Sequence, residues 1–131
     1  ERFSKFAIEA IGEMPNWVKC FKPTEDVATY YKTADLFLAP SREEGLCYSV
    51  LESAFCGNAV VLSNCKGNDE LKIPNTFKFQ SENEEDLKKA IETAISNLTS
   101  FDVPRVQNRK HIESEFDLNR WAEEMINVYK A

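Results

Sequence analysis

A single histidine, His111, and four cysteines with no C-x-x-C pair among them leave no spacing suited to a structural zinc ion. Long apolar runs are missing as well: none approaches the ~20 residues of a membrane span. The opening Glu1-Arg2-Phe3-Ser4-Lys5 has no signal-peptide core, so neither membrane insertion nor secretion is expected. Nor is there a basic excess. Sixteen Lys+Arg stand against 22 Asp+Glu, a formal charge of −6, and a polyanion needs the opposite, so nucleic acid drops out as a partner. No Asp-x-Asp pair offers itself to a divalent ion. Of Cys20, Cys47, Cys56 and Cys65, three lie in apolar runs, where a free thiol behaves as a small buried hydrophobe; reduced cysteines in a cytoplasmic protein are the expectation. Asn97-Leu98-Thr99 forms a glycosylation sequon that carries no meaning in that compartment.

What is present is an ordinary soluble composition: 131 residues, 43% hydrophobic and 29% charged. That length suits one domain burying about two thirds of its unfolded surface. Phe3, Phe6, Ala7, Ala10 and Met14 recur at helical spacing, stopped by Gly12 and Pro15. Trp17 to Phe21 reads as a short strand, and Thr24 as the cap of a helix with Val27, Tyr30, Tyr31 and Ala34 on its apolar side. Leu36-Phe37-Leu38-Ala39 and Ala59-Val60-Val61-Leu62 are uninterrupted apolar runs, the pattern of strands covered on both faces in a parallel sheet. Between them Tyr48 to Cys56, apolar nearly all round except for Glu52 and closed by Gly57-Asn58, predicts a buried crossover helix. Thr76 to Phe79 predicts a further strand, and Ser81-Glu82-Asn83-Glu84 a capping box for a helix striped by Leu87, Ala90, Ile91, Ala94, Ile95 and Leu98. Pro104 opens a polar helix, and Asp117 caps a last one with Leu118, Trp121, Ala122, Met125 and Tyr129. The alternation predicts an α/β fold, a partial doubly wound, Rossmann-like parallel sheet with flanking helices, which binds ligands beyond the carboxyl ends of its strands.

Residues 40–47 leave one strand at its carboxyl end and reach the crossover helix at its N-terminus. Free N–H groups and the positive end of the helix dipole suit that position to a phosphate, and Gly45 permits close approach of a ligand to the backbone. Glu44 and Glu52 are eight residues apart, about 12 Å of rise in helical geometry, and two carboxylates so placed accept from hydroxyls at both ends of an extended ligand. Glu44 also reads more simply as a first-turn acid complementing the dipole. Glu52, amid Val50, Leu51, Ala54 and Phe55, needs a donor from protein or ligand if it is buried.

Ala34-Asp35-Leu36-Phe37-Leu38-Ala39-Pro40-Ser41, Glu44-Gly45-Leu46, Leu51-Glu52-Ser53-Ala54 and Gly57-Asn58-Ala59-Val60-Val61 together resemble the donor-binding half of the GT-B glycosyltransferases of family 4, formerly group 1. The resemblance continues through Lys66-Gly67-Asn68-Asp69-Glu70 to Glu115-Phe116-Asp117 and Trp121. It implies that residues 1–131 are a single C-terminal donor-binding domain, a fragment without its first strands. It further implies retaining transfer from a nucleoside-diphosphate sugar of UDP or GDP type, with no further cofactor and no bound metal. Glu44 would be the catalytic acid residue, meeting the hydroxyls of the transferred sugar. The backbone of Gly45, Leu46 and Cys47 would face sugar and diphosphate, Glu52 would hold the ribose, Lys22 would lie against the base, and Ser41 would join the donor site. The partners implied are the nucleotide-sugar donor, an acceptor domain elsewhere in the parent chain, a membrane surface met peripherally through that parent, and a second copy joined at an open sheet edge. On its own the chain is expected to be inactive. Cys47 stands where the family usually has glycine, Lys72-Ile73-Pro74-Asn75 replaces a Gly-rich turn, and the Arg and Lys that clamp the diphosphate have no counterpart here. The alternative is a non-catalytic nucleotide- or partner-binding module of the same fold. A receiver-type domain fits less well, because Asp35 begins a strand where a phospho-acceptor would end one.

Overall fold

The computed structural model describes residues 24–98 and 102–130, the latter with side chains from 105 onward. The helix expected over 2–11, the strand from Trp17 to Phe21 with any sheet edge it leaves open, and Lys22 lie outside these residues.

Three strands form the sheet among the described residues: β1 (Leu36–Ala39), β2 (Ala59–Ser63) and β3 (Thr76–Phe79), all parallel in the order β1-β2-β3. Phe37 pairs with Val60, Ala39 with Leu62, and Val61 with Phe77. β2 lies in the middle and every one of its residues is buried, as its unbroken apolar run predicts. The alternation of side chains sends Phe37, Ala39, Val60 and Leu62 to one face, where they meet Val50, Leu51 and Ala54 of α2 (Tyr48–Phe55) and Ile112 of α5 (Asp102–Glu115). Leu36, Leu38, Val61, Phe77 and Phe79 go to the other, under Leu87, Ala90, Ile91 and Ala94 of α4 (Glu84–Asn97). Helices thus cover both faces, and each fully buried Val or Leu of β2 contributes about 1.5–3 kcal/mol.

The remaining helices are α1 (Val27–Thr33), α3 (Lys66–Glu70) and α6 (Leu118–Lys130); the five-residue α3 is one the sequence reading did not assign. Several boundaries differ from expectation for physical reasons. Asp26, not Thr24, caps α1: its carboxylate accepts the Thr29 N–H at 3.3 Å, and Thr24 serves the Asp26 N–H instead. A carboxylate at this position satisfies an orphan amide and meets the helix dipole. The cap of α4 is Asn83, accepting from the Asp86 N–H at 3.0 Å, while the Asp86 carboxylate accepts from the Gln80 N–H at 2.7 Å. Glu82, at φ +62°, turns the chain, and the cap falls two residues beyond Ser81 without the reciprocal bond of a capping box, since the Asn83 N–H goes to the Gln80 carbonyl. α5 begins at Asp102, two residues before Pro104, which the first turn tolerates because its amide has no partner there. Asp117 caps α6 as expected, accepting the Arg120 N–H at 2.8 Å.

The crossover helix departs most from its reading. α2 buries Val50, Leu51, Ser53 and Ala54, yet Tyr48, Glu52 and Phe55 are exposed. Positions 48, 52 and 55 share one side of a helix, and here that side faces away from the sheet. α6 buries no residue: Leu118, Trp121, Val128 and Tyr129 are all exposed. No helix among the described residues is long and apolar enough to cross a membrane.

A polar seam ties the other end of the sheet. Fully buried Asn108 of α5 donates to the Asn58 carbonyl at 2.8 Å, and its Oδ1 accepts from both the backbone N–H and the side-chain Nδ2 of Asn75, at 3.0 and 2.9 Å. Arg105 reaches Asp35 at 2.9 Å across the same edge.

Candidate functional site

The loop of residues 40–47 emerges from the carboxyl end of β1, where three neighbouring elements fix its path. Ser63, the last residue of β2, is buried and its hydroxyl donates to the Ser41 carbonyl. Asn68 of α3 is fully buried and holds the Ser63 carbonyl through Nδ2 at 3.0 Å. Within the loop, the Ser41 hydroxyl donates to Glu44 Oε1 at 2.6 Å, a charge-assisted bond that aims the carboxylate. Both side chains are half-buried. Gly67 of α3 lies directly under the loop: a Cβ there would collide with the carbonyl oxygens of both Gly45 and Glu44. A Cβ on Gly45, by contrast, would meet nothing within 4 Å, so the loop is packed on its α3 side and open on the other.

Cys47 forms the N-cap of α2 through its backbone alone, its carbonyl receiving the Val50 and Leu51 N–H groups. The first turn carries no acid, so the positive end of the dipole is not answered from within the helix. Glu44 lies in the loop ahead of that turn, which removes the reading of it as a first-turn acid. Burial pushes the Cys47 thiol above its ordinary range, with the Glu44 charge adding to the effect; the Val50 and Ser49 amides pull the other way and lose. Cys47, Cys56 and Cys65 are all free thiols.

Glu52 does not need a partner on grounds of burial. It stands on the exposed side of α2 and lines a cleft of about 940 Å³ between α1, α2, the end of α5 and α6. Leu46 and Tyr48 line the same cleft, with Phe116 and Trp121 opposite. Tyr31, at its floor, has its phenol pushed up chiefly by burial, and the Glu52 carboxylate adds to this. Glu25, Glu115, Asp117 and Glu124 also border the cleft, against Lys32 and Arg120. Arg120 is engaged by Glu124 at 3.0 Å and Glu115 at 3.6 Å. The cleft is therefore apolar in its walls and rich in acceptors, a setting for hydroxyl groups more than for phosphate.

The structure brings Leu46 and Glu52 together in the cleft and groups Ser41, Glu44 and Gly45 at the end of β1, with Cys47 joining the two. The 12 Å helical separation does not hold, because α2 begins only at Tyr48 and regular rise covers four of the eight intervening steps. Among the described residues no group of three His, Cys, Asp or Glu side chains forms a metal-ligand set.

A family model described as "Glycosyl transferases group 1" matches residues 4–97, well over half of the chain. The chain belongs to the group 1 glycosyl transferases. Among relatives of this glycosyltransferase chain is the N,N'-diacetylbacillosaminyl-diphospho-undecaprenol alpha-1,3-N-acetylgalactosaminyltransferase of Campylobacter jejuni, 28% identical over 79% of the chain and 28% of that protein. Another is a phosphatidylinositol N-acetylglucosaminyltransferase subunit from Arabidopsis thaliana, 30% identical over 78% of the chain and 21% of that protein. In fold, the chain is similar to sucrose-phosphate synthase from Thermosynechococcus elongatus, with a TM-score of 0.74 and 20% identity over 86% of this chain and 29% of that one. The glycosyltransferase chain thus spans between a fifth and a third of the length of these proteins. The parallel sheet with helices on both faces stands as read from the sequence. Ser63, Gly67 and Asn68 were missed as parts of the site; Gly67 and Asn68 fall inside the Lys66 to Glu70 segment of the resemblance, but only a fold brings that segment under residues 44 and 45.

Proposed function

We propose that these residues form most of the C-terminal, donor-binding domain of a longer family 4 enzyme that transfers a sugar, with retention, from a UDP- or GDP-type donor. The observation that carries this reading is the loop at the end of β1: Glu44 is aimed by Ser41 at 2.6 Å beside Gly45, whose outer side is open. Glu44 accepts from the hydroxyls of the transferred sugar and stabilises charge developing there. The backbone of Gly45, Leu46 and Cys47, with the unanswered positive end of α2, faces the diphosphate in the role a divalent ion takes elsewhere. Glu52, exposed in an acceptor-rich cleft, takes the ribose hydroxyls. Ser41 acts through Glu44, and Lys22 is assigned to the base. The acceptor is held by another part of the longer protein, which works in the cytoplasm.

The test is a pair of variants in the full-length protein. Glu52→Ala should weaken binding of free nucleoside diphosphate, because a ribose contact persists without the sugar, whereas Glu44→Ala should mainly reduce turnover. Equal loss of nucleotide affinity in both contradicts the assignment. The Cys47 side chain, at a position where the family usually has glycine, favours a second reading, a module that binds nucleotide without transfer. Nucleoside-diphosphate binding by the full-length protein with no turnover across a panel of nucleotide sugars would select it.

A further inference from the structure

Gly67 has no role in the donor site as proposed, yet it makes the closest approach in that site. Its α-carbon is pressed against two consecutive carbonyls, those of Glu44 and Gly45, so closely that a methyl group would lie far inside 3.0 Å of both oxygens. Real Cβ contacts under 3.0 Å essentially never occur, and the atoms in the way are backbone, which cannot swing aside. The glycine is not there for its dihedral freedom: of the described glycines only Gly57 has a positive φ. What the position requires is the absence of a side chain.

We propose that Gly67 is a positioning residue: it lets α3 seat the Glu44–Gly45 peptide deep against the end of β2 and so sets the distance of the Glu44 carboxylate from the donor sugar. The neighbouring bonds have the same direction. The Ser63 hydroxyl draws the Ser41 carbonyl inward, and Asn68, the next residue of α3, holds the Ser63 carbonyl. Gly67→Ala would force the loop outward by about 1 Å, a displacement that costs roughly 100-fold in turnover when it misplaces a reacting group. Alanine suits a helix better than glycine, so α3 itself has no reason to unfold. The catalytic part of this inference rests on the proposed role of Glu44; the seating of the loop does not.

Both parts are testable in the full-length protein. Hydrogen exchange in Gly67→Ala should rise over residues 40–47 and stay at the wild-type level in β2 and α4. Turnover of the nucleotide sugar should fall roughly 100-fold, and that fall should vanish when Gly67→Ala is placed on a Glu44→Ala background, as two changes acting through one group are not additive. Gly45→Ala, which meets nothing, should leave exchange over 40–47 unchanged. Unaltered exchange in Gly67→Ala, or an equal loss of turnover on the Glu44→Ala background, overturns the proposal. If Gly67→Ala does not fold, Ser63→Ala releases the same loop without a clash, and wild-type exchange over 40–47 in that variant overturns it as well. A wild-type protein that binds donor without transferring sugar defeats the functional reading, while the exchange measurement still decides the seating.

Discussion

Removing the Ser41 hydroxyl separates the aim of Glu44 from the path of the loop that carries it. In Ser41→Ala the 2.6 Å bond to Glu44 Oε1 is lost, while the Ser41 carbonyl, which receives the Ser63 hydroxyl, remains. A hydrogen bond to a charged group is worth about 1.5–3 kcal/mol. Glu44 is half-buried, so water takes over part of the lost interaction and the lower end applies, about 1.5 kcal/mol. At 1.4 kcal/mol per factor of ten, kcat/KM for the donor should fall about tenfold. The fold should hardly notice, since a substitution that removes no core contact changes stability by about 0.5 kcal/mol or less. Steady-state kinetics of the full-length protein, with a melting curve beside them, measures both. A wild-type kcat/KM in a normally folded variant would refute the orienting role of Ser41. A loss of nucleoside-diphosphate affinity at unchanged kcat would refute it differently, by placing the hydroxyl on the phosphates.

Chelation should leave transfer by the full-length protein intact, because the proposed site meets the diphosphate with backbone amides; abolition by EDTA with restoration by manganese would count against this. Alkylation of Cys47 should be slower than that of a free thiol at pH 7.5 and should speed up as pH rises past the ordinary thiol range, since burial raises its pKa; bound nucleotide should protect it, and indifference to nucleotide would put it outside the donor site. The same shift makes the charged form costly in the fold, so its contribution to stability is present below the unfolded thiol pKa and is lost as pH climbs through the folded one. Asn108→Ala removes three hydrogen bonds at a fully buried position and should cost about 2–4 kcal/mol in denaturant unfolding; a cost under about 0.5 kcal/mol would show that water fills the gap.

The central strand was legible because its residues are apolar without alternation, the record left by a short strand covered on both faces. Helix α2 was half legible. Tyr48 and Phe55 count as hydrophobic, which hid the fact that they share a side with Glu52 and that this side looks outward onto a cleft. The Ser41–Glu44 bond joins residues three apart, but nothing in their identities distinguishes it from the many loop serines that bond water. The seam through Asn58, Asn75 and Asn108 was illegible altogether: asparagine reads as turn or surface, and the full burial of Asn108 is tolerable because it answers the Asn58 carbonyl across 50 residues and the half-buried Asn75 across 33. The acids of the site were visible as chemistry before they were visible as geometry. What sequence misjudged was burial: Glu52 is exposed, so it does not need the donor that a buried carboxylate requires.

That asparagine seam also bears on the order in which the chain assembles. Asn58 and Asn75 precede the strands they serve, yet the group that satisfies both arrives with α5, along with Ile112 of the core and the Arg105 contact to Asp35. A chain emerging from the ribosome forms the β1-β2-β3 sheet and its α2 cover with these polar groups still waiting and the Ile112 part of that cover missing. Truncation before α5 should therefore cost more than a surface helix: it leaves the Asn58 and Asn75 groups without their partner and uncovers the apolar surface around Ile112, which α2 alone does not seal, and exposed apolar surface of that kind aggregates during synthesis.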